Sequence, residues 1–237
     1  MSRPALPRLA LAALLMLAAL AAHAQSAFCS SDGQPRPRGL LERFVSADCE
    51  SCWADARTPR PAARELAIDW VAPSARGDDA PLSAAARPEA LQRLKALRRP
   101  ALPEGKASEV RTPLMAAART LRVAHGAPVN DYVGASISLE PAGHGPWTAW
   151  LLLVETVPAG ADGSPVERNL VRGVLQPPWD GHAAHSPAAL RRLLESRPMR
   201  VPEGAQPERL RVVGWVEDAR GHIRAISESR CAPDTQR

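Results

Sequence analysis

The stretch LLERFVSADCESCWAD (residues 40–55) decides how this sequence is read. An apolar segment, LLERFV (residues 40–45), has the length and composition of a short strand. It ends by delivering two cysteines separated by two residues, Cys49 and Cys52. A thiolate attacks a disulfide, and a second thiol two residues away can resolve the mixed disulfide from the same turn. A C-x-x-C pair can also be an inert staple or half of a zinc site. A zinc site needs four close ligands, and no second C-x-x-C or C-x-x-H completes one, so no metal is expected.

The cysteine count fits an oxidising compartment. Cys29, Cys49, Cys52 and Cys231 are four in number, and an even count there argues for disulfides. Three pairings are possible. The short C-x-x-C ring takes Cys49 and Cys52, which leaves Cys29 with Cys231, near the two ends of the chain. Closing a loop of about 200 residues is worth at most about 5 kcal/mol in the chain-entropy picture.

The N-terminus reads as an export signal over residues 1–24. Arg3 and Arg8 precede an apolar run at residues 9–22, and Ala22-His23-Ala24 forms a small-residue cleavage site. The run is short for a membrane span, and no later segment approaches 18 apolar residues, so no span is expected after cleavage. A periplasmic or secreted protein of 213 residues follows. Losing Arg3 and Arg8 lowers the formal charge from +5 to +3, too little to argue for nucleic acid. Arginine outnumbers lysine 28 to 2, the mark of a GC-rich coding sequence.

After an extended lead-in at residues 25–39, the first half alternates strand and helix signals. LAIDWV (residues 66–71) reads as a strand. A helix through residues 53–57 is interrupted by Pro59 and Pro61, with a fresh start at Thr58 and Pro59. PEALQRLKALRR (residues 88–99) is the clearest helix, with Leu91, Leu94 and Leu97 on one face and a solvated basic face. From Tyr132 the texture becomes strand-like. Candidates are residues 135–140, 147–157, 167–175, 209–217 and 222–229, the last two joined by the turn Asp218-Ala219-Arg220-Gly221. Ser186-Pro187 starts a helix through AALRRLLESR.

The same residues carry a family resemblance. ERFVSADCESC resembles the E-L-F-T-S-Q-G-C-S-S-C signature of a family of bacterial secreted thioredoxin-like proteins, with Glu42, Phe44, Ser46, Cys49, Ser51 and Cys52 in register. IDWV (residues 68–71) is similar to that family's Val-Asp-Tyr-Trp, and Thr112-Pro113-Leu114-Met115 to its Thr-Pro-Gln-Met. Residues 167–181 are similar to its Asn-Val-Val-Arg stretch and Trp-Asp-Gly. The resemblance implies an α/β fold: a thioredoxin-like domain at residues 40–129, with a mainly β C-terminal region at residues 130–237 packed against it. It implies a cis bond before Pro113, opposite the cysteines, with Thr112 and Pro113 forming the edge that binds substrate. Cys49 would be the attacking thiol and Cys52 the resolving one. The partner would be an exported thiol or disulfide protein, and no cofactor is called for.

Three departures bear on activity. Trp53 follows the second cysteine instead of preceding the first, and reads either as core packing or, beside the cysteines, as a contact to a partner. Pro59 and Pro61 shorten the helix behind the motif. Asp48 and Glu50 flank Cys49 and oppose its thiolate. The competing class is a non-catalytic binding or structural protein with a structural disulfide. A buried Cys49, or a trans Pro113 far from it, favours that class. His182 and His185 have i, i+3 spacing but sit in a Gly/Ser/Pro loop. The sequence names no substrate and no oligomeric state.

Overall fold

A computed structural model describes residues 29–115, 119–179 and 191–231. The expected export signal, the His182/His185 pair and the helix start at Ser186 lie outside these residues.

Eleven strands and two α-helices follow one another among the described residues. They are β1 (Cys29–Ser30), β2 (Gly39–Ser46), α1 (Glu50–Trp53), β3 (Glu65–Ala72), α2 (Glu89–Ala96), β4 (Ala107–Pro113), β5 (Thr120–His125), β6 (Tyr132–Glu140), β7 (Thr148–Val157), β8 (Arg168–Leu175), β9 (Leu193–Arg200), β10 (Leu210–Glu217) and β11 (Ile223–Glu228). Seven strands form one sheet in the order β11-β10-β7-β8-β3-β2-β4, and four form a second in the order β1-β5-β6-β9.

This overturns the α/β thioredoxin-like fold that the C-x-x-C stretch suggested. The molecule is mostly β, and only two α-helices occur among the described residues. The helix behind the cysteines is a single turn, and residues 58–64 form no helix at all. Pro59 and Pro61 explain this, since a proline inside a helix removes a donor and clashes with the preceding turn. The large sheet also crosses the expected boundary at residue 129, because β2, β3 and β4 join β7, β8, β10 and β11. Part of the helix expected after Ser186 is strand β9, paired antiparallel with β6 from Tyr132↔Arg200 to Leu139↔Leu193.

Several local expectations hold. The segment LLERFV lies within β2, LAIDWV within β3, and the two pair in parallel from Gly39↔Glu65 to Ser46↔Ala72. The final hairpin forms: Asp218 N–H donates to His222 O at 3.0 Å, and Gly221 takes φ +81°, a region glycine enters without penalty. The helix at residues 88–99 exists as α2, but its buried face is rotated. Ala90, Arg93 and Leu94 are buried while Leu91 is 38% exposed, so one basic side chain points inward.

The two sheets pack face to face. Their shared core includes Val123, Ile137, Leu151, Leu153 and Val212. At Gly214 the approach leaves no room for a side chain, since an added Cβ would lie 2.7 Å from Val123 Cγ1. The other face of the large sheet carries Leu40, Phe44, Trp70, Trp150 and Trp215 beneath α2. Both faces of β2 are therefore covered, and all eight of its residues are buried. Glu42 and Arg43 lie within that run, and buried charges persist only when paired.

Candidate functional site

Strand β2 ends at Ser46, and the chain turns through Ala47 and Asp48 into α1. Cys49 caps this helix: its sulfur accepts from Cys52 N–H at 3.2 Å and lies 3.6 Å from Ser51 Oγ. A four-residue helix has almost no accumulated dipole to lower a thiol pKa. Cys49 and Cys52 are joined as a disulfide, and so are Cys29 and Cys231. The second bond closes the termini beside β1, where Ser30 and Arg230 exchange backbone hydrogen bonds of 2.9 and 3.1 Å. Cys29, Cys231 and His125 also form the one close group of possible metal ligands among the described residues. Two of its three donors are bonded to each other.

The structure brings Cys49 and Cys52 together but places the rest of the expected site elsewhere. Cys49, expected to attack, is only 3% exposed, whereas Cys52 is partly exposed and lines an open cleft. Thr112 and Pro113 lie in β4, whose register places Pro113 opposite Gly39. That is the start of β2, while the cysteines follow its end, a separation of roughly 23 Å at about 3.3 Å per residue. The described cis peptide bonds precede Pro141 and Pro146, not Pro113. Trp53 is buried and donates from Nε1 to Asp162 O at 2.8 Å, so it packs inward instead of facing a partner.

What lies under the disulfide is a buried charge network. Arg43 Nη2 donates to Asp69 Oδ2 at 2.5 Å, and Arg168 Nη1 donates to Asp69 Oδ1 at 3.1 Å. Asp69 also accepts from Asn169 N–H at 2.7 Å. Arg168 then supports the turn that carries the cysteines. Its Nη2 donates to Trp53 O at 2.8 Å and Thr58 Oγ1 at 3.0 Å, its Nε donates to Ser164 Oγ at 2.9 Å, and its guanidinium lies 4.8 Å from the Trp53 ring centre. Burial pulls Arg168 below its ordinary pKa, and Asp69 opposes that pull.

Above the network lies a cleft of about 420 Å³, within the usual size range of small-molecule sites. Cys52, Arg43, Arg57, Arg168 and Glu109 contribute to its walls. Cys52 Sγ is 3.7 Å from Gly105 O, and Gly105 N–H is held by Asp48 at 3.1 Å. The Ser46 hydroxyl, and then this Gly105 N–H, hold Asp48 below the usual carboxylate range. Asp48 therefore fastens the rim of the cleft.

Arg43, Asp69 and Arg168 were not picked out as site residues from the sequence. A signal existed in the aligned strand motifs ERFV and IDWV, where opposite charges interrupt two apolar runs at matching positions. No family model matches this chain, and neither a curated protein nor a solved structure matches it.

Proposed function

We propose that this is an exported ligand-binding protein in which the Cys49–Cys52 disulfide is a structural staple, not an exchange centre. The burial of Cys49 carries this reading, because a sulfur without access to solvent cannot meet a partner disulfide. The distance of Pro113 agrees with it, and so does the single-turn helix. The two cysteines fix the rim of a cleft whose floor is a paired charge network.

A second reading rests on one observation, the partial exposure of Cys52 in that cleft. An incoming thiolate would attack Cys52 Sγ, the Cys49–Cys52 bond would break, and its electron pair would leave on Cys49 Sγ. The Cys52 N–H and Ser51 hydroxyl would receive that charge. This reverses the roles expected from the motif.

Equilibration with glutathione redox buffers, followed by thiol trapping and mass analysis, separates the two readings. The staple reading expects a potential below about −300 mV and no trapped thiol under native conditions. A potential above about −270 mV, with a mixed disulfide accumulating on Cys52 in a Cys49→Ser variant, would establish exchange instead.

A further inference from the structure

A second cavity, of about 500 Å³, is lined by residues from the start of α2, from β8 and from β9. Strand β8 pairs with β3 at Asp69↔Leu170 and then leaves it. A bulge follows, since Leu153↔Gly173 is succeeded by Val154↔Val171 and Arg172 has no cross-strand partner. Bulges re-aim side chains and recur beside binding sites. Here Arg172 turns into the cavity wall and is neutralised by Glu155 at 2.7 Å.

Four other charges line the same cavity: Arg87, Glu89, Arg200 and Glu203. None has an ion-pair partner among the described residues. Two of them contribute buried atoms with no hydrogen-bond partner, Arg87 Nε as a donor and Glu89 Oε2 as an acceptor. Arg87 is held in place by its backbone, whose N–H donates to Val71 O at 2.9 Å. Burial presses its guanidinium below the ordinary value, Arg172 adds to that, and Glu89 opposes it. Val174, Leu175 and Met199 supply an apolar wall beside them.

We infer that this cavity binds a small zwitterion of the α-amino-acid type with an apolar side chain. The ligand carboxylate meets Arg87, its ammonium meets Glu89, and its side chain lies against Val174, Leu175 and Met199. A simple anion would leave Glu89 unpaired and repelled, and a simple cation would do the same to Arg87. Only a ligand carrying both charges pairs both side chains; Arg87 Nε and Glu89 Oε2 themselves have no accessible surface, so the contacts fall on the other atoms of each group. Arg200 and Glu203, exposed at the mouth, repeat the same pair of signs. This assignment rests on the ligand-binding reading and gives that reading a ligand class.

Isothermal titration of the full chain with L-leucine tests it, alongside 3-methylbutylamine, which lacks the carboxylate, and 4-methylpentanoate, which lacks the ammonium. Leucine is expected to bind, and each analogue to bind at least tenfold more weakly. Arg87→Gln and Glu89→Gln should each weaken leucine at least tenfold, and Arg87→Gln, which removes the repelling cation, should strengthen 3-methylbutylamine. The analogue series uses the unaltered protein, so it decides the matter even if a variant misfolds. No heat with millimolar leucine would overturn the assignment. Equal binding of leucine and either analogue would also overturn it. If leucine fails while the Cys49–Cys52 pair resists reduction, the ligand class falls and the staple reading stands. If leucine binds and the pair proves exchangeable, the reverse holds.

Discussion

Glu42 and Arg43 are neighbours on β2, and alternation sends them to opposite faces of one buried strand. On the Glu42 side, Arg93 of α2 donates to Glu42 at 2.7 and 2.8 Å and to Glu217 at 2.6 Å. The Trp70 and Trp215 indoles donate to the same two carboxylates, and the Arg93 guanidinium lies 5.0 Å from the Trp150 and Trp215 ring centres. Against the opposing pull of burial, Glu42 and Glu217 hold Arg93 above its ordinary pKa. On the Arg43 side the ratio is inverted, with two guanidiniums sharing Asp69. One face is a sealed network of two anions and a cation beneath tryptophan. The other is two cations and an anion that reach a cleft. The same strand thus supplies a closed structural anchor and the floor of a binding surface.

If that contrast is right, the largest effect belongs to the sealed face. Arg93→Met removes the cation that two buried carboxylates share, and breaking a buried pair costs about 3–5 kcal/mol. Urea denaturation should show this as a lower midpoint with an unchanged slope. A loss under about 1 kcal/mol would mean that water reaches Glu42 and Glu217, and the face would not be sealed.

Arg168→Met should cost less, about 2 kcal/mol, because Arg43 remains to pair Asp69. Its effect should also be local. The Trp53 carbonyl and Thr58 hydroxyl lose a donor, so the Cys49–Cys52 turn loosens and reduction by a small phosphine should speed up. Arg93→Met, acting on the opposite face, should leave that rate unchanged while the protein stays folded. Equal acceleration by both variants would erase the distinction between the faces.

Strands β2, β3, β6, β7, β8, β10 and β11 were legible from their apolar runs, whereas β4 and β5 were not picked out; both disulfide pairings were legible from cysteine number and spacing. The fold class was not. A C-x-x-C at a strand end looks the same whether a long helix or a single turn follows, and Pro59 and Pro61 were the local sign that no long helix could. Arg93 was hidden for a related reason. Its Leu91, Leu94 and Leu97 neighbours imply one buried face, but pairing with Glu42 and Glu217 rotates the helix, and those carboxylates lie 51 and 124 residues away. Residues 193–200 carry helix-forming residues yet form a strand, because pairing with β6 overrides local propensity. The Arg87–Glu89 cavity depends on where β8 departs from β3, which no local pattern encodes.

A smaller effect is expected from the disulfide at the cleft. Replacing Cys49 and Cys52 together by serine removes a ring of only a few residues, worth about 2 kcal/mol at most. Thermal or urea unfolding should report that modest loss. Leucine binding at the separate cavity should be retained, since no residue lining it touches the pair. A loss of fold in this variant would instead make the short disulfide the dominant support of the open face.

The smallest effect concerns Asp48, which holds Gly105 against Cys52. Its native pKa is lowered from 3.8, by the Ser46 hydroxyl first and the Gly105 N–H second. The linkage therefore runs in one direction. The contact is fully present above pH 3.8 and is lost as pH falls below that through the lowered native value. Reduction of Cys49–Cys52 by a phosphine, followed from pH 6 to pH 2, should rise a few-fold only at the acid end. Asp48→Ala should show the faster rate throughout, so the ratio of variant to unaltered protein should fall towards one as pH drops. A ratio that stays constant while circular dichroism reports an intact fold would show that Gly105 does not guard the sulfur. The openness of this face would then belong to Cys52 alone, and the exchange reading would gain over the staple.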